Sequence, residues 1–137
     1  MSKLYLPPTE SDIKEISKIA DYYSNELGYV SYGELRDGIE GNSLIISKDL
    51  NTNTIVGYVL WRTRKRDSIT RVYSFGVLPS YSRQGIGREL LKFVPRPIIL
   101  SCPESSVSGR EFYLSQGFKN FNIKQGRKQK LYEFKLD

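Results

Sequence analysis

Residues 71–94 read RVYSFGVLPSYSRQGIGRELLKFV, and this stretch decides the fold. An apolar run, residues 72–78, is followed by Pro79, a polar loop, the triplet Gly85-Ile86-Gly87 and a helix-like segment. A strand that runs through a glycine-bearing loop into a helix is typical of phosphate-binding sites, because the free N–H groups and the macrodipole make the helix N-terminus positive. Glycine also lacks the Cβ atom that would hold a ligand away from the backbone. The stretch predicts a site for a phosphorylated cofactor, with an ordinary strand-to-helix turn as the alternative.

Two other glycine-rich motifs are excluded by the residues that follow the triplet. A Walker loop requires Gly-Lys-Ser/Thr, whereas Gly87 is followed by Arg88 and Glu89. A dinucleotide-binding fingerprint requires a third glycine, and the corresponding residue is Leu90. The predicted phosphate site therefore belongs to neither class.

The composition is that of a globular protein. The chain has 137 residues, of which 39% are hydrophobic and 26% charged, so we expect one domain over residues 1–137. No apolar run approaches the ~20 residues that a membrane span requires, and the first residues have no apolar leader. A single cysteine, Cys102, allows no internal disulfide. These features together favour a cytoplasmic location.

Histidine is absent from the chain, which restricts the chemistry that it can perform. Catalytic Ser-His-Asp and Cys-His mechanisms are excluded, as is a structural zinc site, so any proton transfer depends on Asp, Glu, Tyr, Lys or water. The net charge of +6 would attract an anionic ligand or partner. Nucleic acid is one such partner, although mildly basic soluble domains are common.

Strand and helix signals alternate along the chain and predict the order β-α-α-β-β-β-α-β-α-β-β. This is a mixed α/β or α+β layout, with a central mixed, mostly antiparallel sheet flanked by helices. The helix from Gly85 is expected to end at Pro95 and Pro97. Its apolar face should carry Ile86, Leu90, Leu91, Phe93 and Val94. Capping boxes are expected to open the other three helices, at Thr9-x-x-Asp12, Ser31-x-x-Glu34 and Ser108-x-x-Glu111, and Gly117 should follow the last of them.

Two separated motifs resemble those of the GNAT superfamily of N-acetyltransferases. The first, VLPSYSRQGIGRELL at residues 77–91, is similar to the family's acyl-CoA loop, Arg/Gln-x-x-Gly-x-Gly/Ala after a strand that ends in Val-x-Pro. The second, FYLSQGF at residues 112–118, is similar to the family's FY-x-x-x-GF segment. The predicted element order resembles that of the family over nearly the whole chain.

The resemblance implies a GNAT-like fold and transfer of an acetyl group from acetyl-CoA to a primary amine, by direct attack in a ternary complex. It places the coenzyme between the third strand of the meander and the next strand, which splay apart. Tyr113 is then the general acid that protonates the departing thiolate. The residues expected to bind acetyl-CoA are Phe75, Val77, Arg83, Gln84, Gly85, Ile86, Gly87 and Arg88, and no metal is expected.

The chain departs from the family pattern in the phosphate loop and in the second motif. Ser82 stands where the first motif has Arg or Gln, and either Arg83 or Arg88 could supply the missing contact. Ser106 occupies a position where the family often has Asn, and Gly109 one where it has a small residue.

The general base is the weakest part of the resemblance. Some family members place a Glu near the start of the strand that precedes the loop, where this chain has Arg71. No carboxylate lies between residues 68 and 88, so a water held by Tyr73 or a backbone carbonyl is one alternative. A carboxylate of the second helix is another: Glu34, Asp37 or Glu40.

Two further functions remain open from the sequence: a non-catalytic acyl-CoA-binding regulatory module and an acyltransferase directed to nucleic acid. The acceptor, a small-molecule amine or a protein amino group, is not specified by any motif. Early tyrosines could line its pocket or simply pack: Tyr22, Tyr23, Tyr29 and Tyr32.

Overall fold

The structure is a computed structural model that describes residues 2–23 and 29–137. Its first part contains β1 (Lys3–Leu6), a 3₁₀ turn (Glu10–Asp12), α1 (Ile13–Tyr22) and α2 (Tyr32–Glu40). The meander follows, with β2 (Leu44–Asp49), β3 (Thr54–Thr63) and β4 (Thr70–Val77). After a 3₁₀ turn (Pro79–Tyr81) come α3 (Ile86–Leu91), β5 (Ile98–Pro103), α4 (Val107–Ser115), β6 (Lys119–Gln125) and β7 (Lys130–Leu136). Within the described residues, the helices and strands follow the predicted order.

Local signals start the first two helices as the sequence predicts. At α2, Ser31 accepts a hydrogen bond from the Glu34 backbone while the Glu34 carboxylate accepts one from the Ser31 backbone, both at 3.0 Å. At Thr9 the box with Asp12 is also formed, but it opens the 3₁₀ turn that leads into α1. The two boxes satisfy N–H groups that a helix start leaves without partners.

In the described part of the chain, seven strands form one sheet in the order β1-β2-β3-β4-β5-β7-β6. Every neighbouring pair is antiparallel except β4 and β5, which run parallel. The parallel pair is in register only at Thr70–Ile98 and Arg71–Ile99, and beyond these residues the two strands separate. This separation, which we call the fork, confirms the predicted splaying of the two strands.

The sheet buries a separate apolar core on each face. One core packs α3 and α4 against the sheet, through residues such as Ile86, Leu90 and Tyr113. The other packs α1 and α2 against the opposite face, through residues such as Ile16 and Leu35. Burial of this kind contributes about 25 cal/mol per Å² of apolar surface, so the two cores hold the helices on both sides of the fork.

Two predicted details of the helices are wrong. Helix α3 ends at Leu91, short of Pro95, because its last turn tightens into i→i−3 hydrogen bonds that run from Lys92 to Val94. This tightening turns Phe93 out of the apolar face, and Phe93 is 44% exposed and stacks on Tyr5.

The Ser108-x-x-Glu111 box does not open α4, which already begins at Val107 with Ser106 at the N-cap position. The Ser106 N–H donates to the Pro103 carbonyl at 3.0 Å, and this turn starts the helix earlier than the box predicts. At the other end Gly117 follows α4 as predicted, with φ of +93°.

Candidate active site

A cavity of about 250 Å³ lies at the fork and is lined by residues from both faces of the sheet. Tyr113 and Cys102 line it and belong to the α3/α4 core. Tyr23, which packs against the α1/α2 core, lines it from the opposite face. Ser101 and Cys102, neighbours that point to opposite faces of β5, are both in its wall. The fork therefore holds a cavity whose wall is formed by side chains from both faces of the sheet.

The loop between β4 and α3 forms a ring of backbone donors at one end of the cavity. None of the N–H groups of residues 83–88 donates a hydrogen bond to another described residue. Arg83 and Gly85 both have positive φ, at 62° and 80°, and this curls the loop around its own amides. A side chain at residue 85 would be strained, which explains the glycine. Such a concave run of free amides is suited to a phosphate group.

Gly87 has a second function besides access to the backbone. A Cβ atom there would lie 3.1 Å from the tips of both Phe75 and Phe112. These two rings stack at 5.9 Å, directly beneath the start of α3. The glycine thus allows the helix N-terminus to rest on an aromatic floor.

The predicted binding residues come together around the fork. Gln84 lines a depression that adjoins the main cavity. The other seven line the main cavity itself: Phe75, Val77, Arg83, Gly85, Ile86, Gly87 and Arg88. The departures from the family motifs are there too, since Ser82, Ser106 and Gly109 are in the same wall.

A hydrogen bond outside the cavity holds the entry to the phosphate loop. The Tyr81 hydroxyl, in the 3₁₀ turn, donates to the Asp49 carboxylate of β2 at 2.7 Å. The Lys3 ammonium lies 5.4 Å from the centre of the Tyr81 ring. The hydrogen bond from Tyr81, with another from the Asn51 backbone, lowers the pKa of Asp49.

Tyr113 is held rigidly in the cavity wall. It is only 8% exposed, and its ring contacts Phe112, Phe118 and Phe134 at centroid distances of 5.5–5.8 Å. Burial raises its pKa well above the usual value of a phenol. The hydroxyl therefore stays protonated at neutral pH, which is the state that a proton donor requires.

Tyr23, named only as one of several early tyrosines, is the one that reaches the site. Its hydroxyl donates to the Val77 carbonyl at the end of β4 at 2.5 Å. The other three tyrosines are 46–75% exposed and are absent from the cavity lining: Tyr22, Tyr29 and Tyr32. Sequence spacing alone could not single out Tyr23, because its position depends on how α1 crosses the sheet.

The carboxylates of α2 are exposed and do not line the cavity at the fork. Glu34 caps its own helix, and Asp37 lies 3.6 Å from Arg62 in an exposed ion pair. Glu40 is exposed as well. Tyr73 is 53% exposed beside Arg62 and does not line the cavity.

A buried carboxylate next to the fork was missed. Glu133 of β7 pairs with Ser101 of β5, and its side chain is 10% exposed. It accepts hydrogen bonds from Asn122 at 2.8 Å and Ser101 at 3.4 Å, and it lies 3.3 Å from the Lys124 ammonium. The one feature of the sequence that could have pointed to Glu133 is that it is the single acidic residue within the strand β7.

Neither a cluster of metal ligands nor a membrane-spanning helix is found within residues 2–23 and 29–137. No group of three or more potential metal ligands comes together there. None of the helices described is long and apolar enough to cross a membrane.

The comparisons with known proteins agree with this geometry. A family described as "Acetyltransferase (GNAT) domain" matches residues 40–120, which is more than half of the chain. The chain therefore belongs to the GNAT acetyltransferase family, and the predicted recognition and fold class are confirmed. N-acetyl transfer from acetyl-CoA to an amine is the activity that this membership supports. No curated protein sequence matches the chain.

Solved structures share the fold at low sequence identity. Ard1 from Thermoplasma volcanium is 16% identical, with a TM-score of 0.86 over 99% of this chain and 97% of the other. Naa50 from Arabidopsis thaliana, in complex with the bisubstrate analogue CoA-Ac-MVNAL, is 16% identical with a TM-score of 0.83 over 100% and 99%. The diaminobutyrate acetyltransferase EctA from Paenibacillus lautus, with its substrate and coenzyme A, is 18% identical with a TM-score of 0.77 over 97% and 94%.

Proposed function

We propose that residues 1–137 form one acetyltransferase domain, in which acetyl-CoA and a primary amine bind together and react directly. The observation that carries the proposal is the cavity at the fork, which residues from both faces of the sheet line. A cavity lined from both faces gives a donor and an acceptor one point at which to meet from opposite sides. Direct attack requires that arrangement, because the nucleophile must approach the carbonyl while the thioester is held.

The residues around the fork fit acetyl-CoA. The free amides of residues 83–88 are suited to its pyrophosphate, and the separated edges of β4 and β5 leave strand backbone available to pantetheine. Phe75 supplies an apolar wall, while Arg83 and Arg88 offer charge to the phosphates. When bound, acetyl-CoA supplies the activated acetyl group.

Tyr113 is proposed as the proton donor to the departing sulfur. Tyr113 lines the cavity, and the rings packed around it hold its own ring in place. A thiolate released in the same desolvated cavity is also made more basic, so the donor and the acceptor of the proton shift together.

The acceptor is proposed to be a primary amine of a small molecule or of a protein. Naa50 was solved with a peptide-based bisubstrate analogue and EctA with diaminobutyric acid, so both kinds of amine occur on this fold. Because acetyl-CoA is an intracellular metabolite, we also infer a cytoplasmic location, in keeping with the free thiol of Cys102.

An acceptor screen tests the proposed function. Purified protein is incubated with acetyl-CoA and a panel of polyamines, amino acids, peptide N-termini and hydroxylamine, and release of free CoA is followed. Turnover with at least one amine supports the proposal. Tight binding of acetyl-CoA without turnover of any nucleophile would instead favour the non-catalytic acyl-CoA-binding module.

A further inference from the structure

The face of the sheet opposite Tyr113 carries a polar cluster at the base of the fork. Ser101 lies two residues beyond Ile99, the last residue of β5 that pairs with β4. Across β5 and β7, Ser101 pairs with Glu133. The next pair along, Leu100 and Phe134, belongs to the α3/α4 core, so Ser101 and Glu133 point to the other face. This is the face from which Tyr23 reaches the cavity.

The partners of Ser101 fix the direction of its hydroxyl proton. Its Oγ is 3.5 Å from Nη1 of Arg71, which can only donate, and 3.4 Å from Oε2 of Glu133. An ionised carboxylate can only accept, so the serine proton points to Glu133. A hydroxyl has two lone pairs, and with one facing Arg71 the other is left for the cavity that Ser101 lines. Ser101 can therefore accept a proton from the cavity as it passes its own to Glu133.

We infer that Ser101 and Glu133 form a proton relay that removes the proton from the attacking amine, an inference that rests on the proposed acetyl transfer. As the nitrogen–carbon bond forms and the carbon–sulfur bond breaks, one amine proton moves to Ser101 Oγ. The original serine proton moves to Glu133 Oε2, and Tyr113 protonates the thiolate on the other face. Ser101 touches the acceptor, whereas Glu133 acts through Ser101.

The groups around Glu133 keep its carboxylate ionised, so that it can accept a proton. Burial opposes its ionisation, but the hydrogen bonds from Asn122 and Lys124 and the charge of Arg71 outweigh burial and lower its pKa. These groups face the carboxylate from β4 and β6, while Ser101 faces it from β5. The carboxylate thus stays ionised throughout the neutral range. Only one of these cations, Lys124, is half exposed, at 49%, and it can be changed without opening the core.

Three variants test the relay: Ser101→Ala, Glu133→Gln and the double variant. Each single change should lower kcat with hydroxylamine, which is uncharged at neutral pH, by on the order of 10²-fold. Because the two groups act in series, the double variant should be no slower than the slower single variant. The Kd for CoA, measured by calorimetry, should be unchanged in all three. Glu133→Asp, which keeps the carboxylate, should recover part of the lost rate.

The Lys124→Met variant distinguishes the relay from a purely structural role of Glu133, because only the relay predicts a change in the pH–rate profile. Removing this cation should shift the acid limb of the pH–rate profile to higher pH, with little change in the plateau. Full kcat in either single variant, a double variant that multiplies the two losses, or an unmoved acid limb each overturns the relay. An inactive parent protein that binds CoA but acetylates no nucleophile, hydroxylamine included, overturns the proposed function together with the relay. Turnover by the parent with undiminished Glu133→Gln overturns the relay alone.

Discussion

The two sides of the fork are built in different ways. On the side where we propose that the coenzyme binds, the amides, the aromatic floor and the tyrosine come from two short segments, residues 75–88 and 112–113. On the side proposed for the acceptor, Tyr23, Ser101 and Glu133 come from three distant elements, and each is placed by a long-range contact. The first side is therefore specified mostly by two short stretches of sequence, whereas the second depends on contacts between three distant elements. This difference predicts that substitutions in the loop will act on binding and those across the sheet on turnover.

The largest effect is expected for Gly87→Glu. The Cβ atom would lie 3.1 Å from Phe75 and Phe112, so both rings would have to shift, and the carboxylate would place a negative charge among the amides proposed to bind phosphate. The rise in Tm that acetyl-CoA produces in the parent by mass action should disappear. Gly33→Glu is the matched control, because a Cβ there meets only Ser31 Oγ at 3.7 Å. A normal Tm rise in Gly87→Glu would show that the coenzyme does not use this loop.

Tyr113→Phe is expected to have the next largest effect. It keeps the buried ring and removes only the proton, so kcat should fall by on the order of 10²-fold while the Kd for CoA stays constant. Tyr132→Phe serves as the control, since its ring packs against Arg110 at 4.7 Å and does not line the cavity. Steady-state kinetics with the best amine of the screen make the measurement. Full turnover by Tyr113→Phe would mean that water protonates the thiolate.

Much of this architecture could be predicted because its signals are local. The glycine triplet, the box at Ser31 and the glycine after α4 each act within a few residues, and the structure confirms them. The prediction that α4 begins at the Ser108 capping box is wrong, because a turn at Pro103 and Ser106 starts the helix earlier. Glu133 was missed for a different reason. It faces Ser101 only because β7 rather than β6 pairs with β5, and no local pattern specifies which strand of a hairpin joins the sheet.

A smaller effect is expected for Arg83→Ala and Arg88→Ala. One charge-assisted hydrogen bond is worth about 1.5–3 kcal/mol at most, so the loss of one should raise the Kd by roughly 10-fold. The Arg88 side chain is 62% exposed, so solvent should reduce its effect to a few-fold. Dephospho-CoA, which lacks the 3′-phosphate, identifies the group that each arginine contacts. If both variants bind CoA as tightly as the parent, backbone amides alone hold the phosphates.

The smallest effect concerns the bond between Tyr81 and Asp49. The folded pKa of Asp49 lies below its unfolded value, so its contribution to stability is present above about pH 4 and is lost as the pH falls through the folded pKa. The Tm of Asp49→Asn should therefore lie below that of the parent at neutral pH, and the difference should close in acid. Asp137→Asn, at an 84% exposed side chain, is the control. A Tm difference that is independent of pH would exclude ionisation of Asp49 as its cause.

The fork also has a mechanical consequence. The four strands β1–β4 and the three strands β5, β7 and β6 are half-sheets joined by only two registered residue pairs. A ligand that lies in the fork would contact both half-sheets and restrict their motion relative to each other. Backbone amides of β5 beyond Ile99 should then exchange hydrogen more slowly when CoA is bound, whereas those in the middle of β3, paired on both sides, should not change.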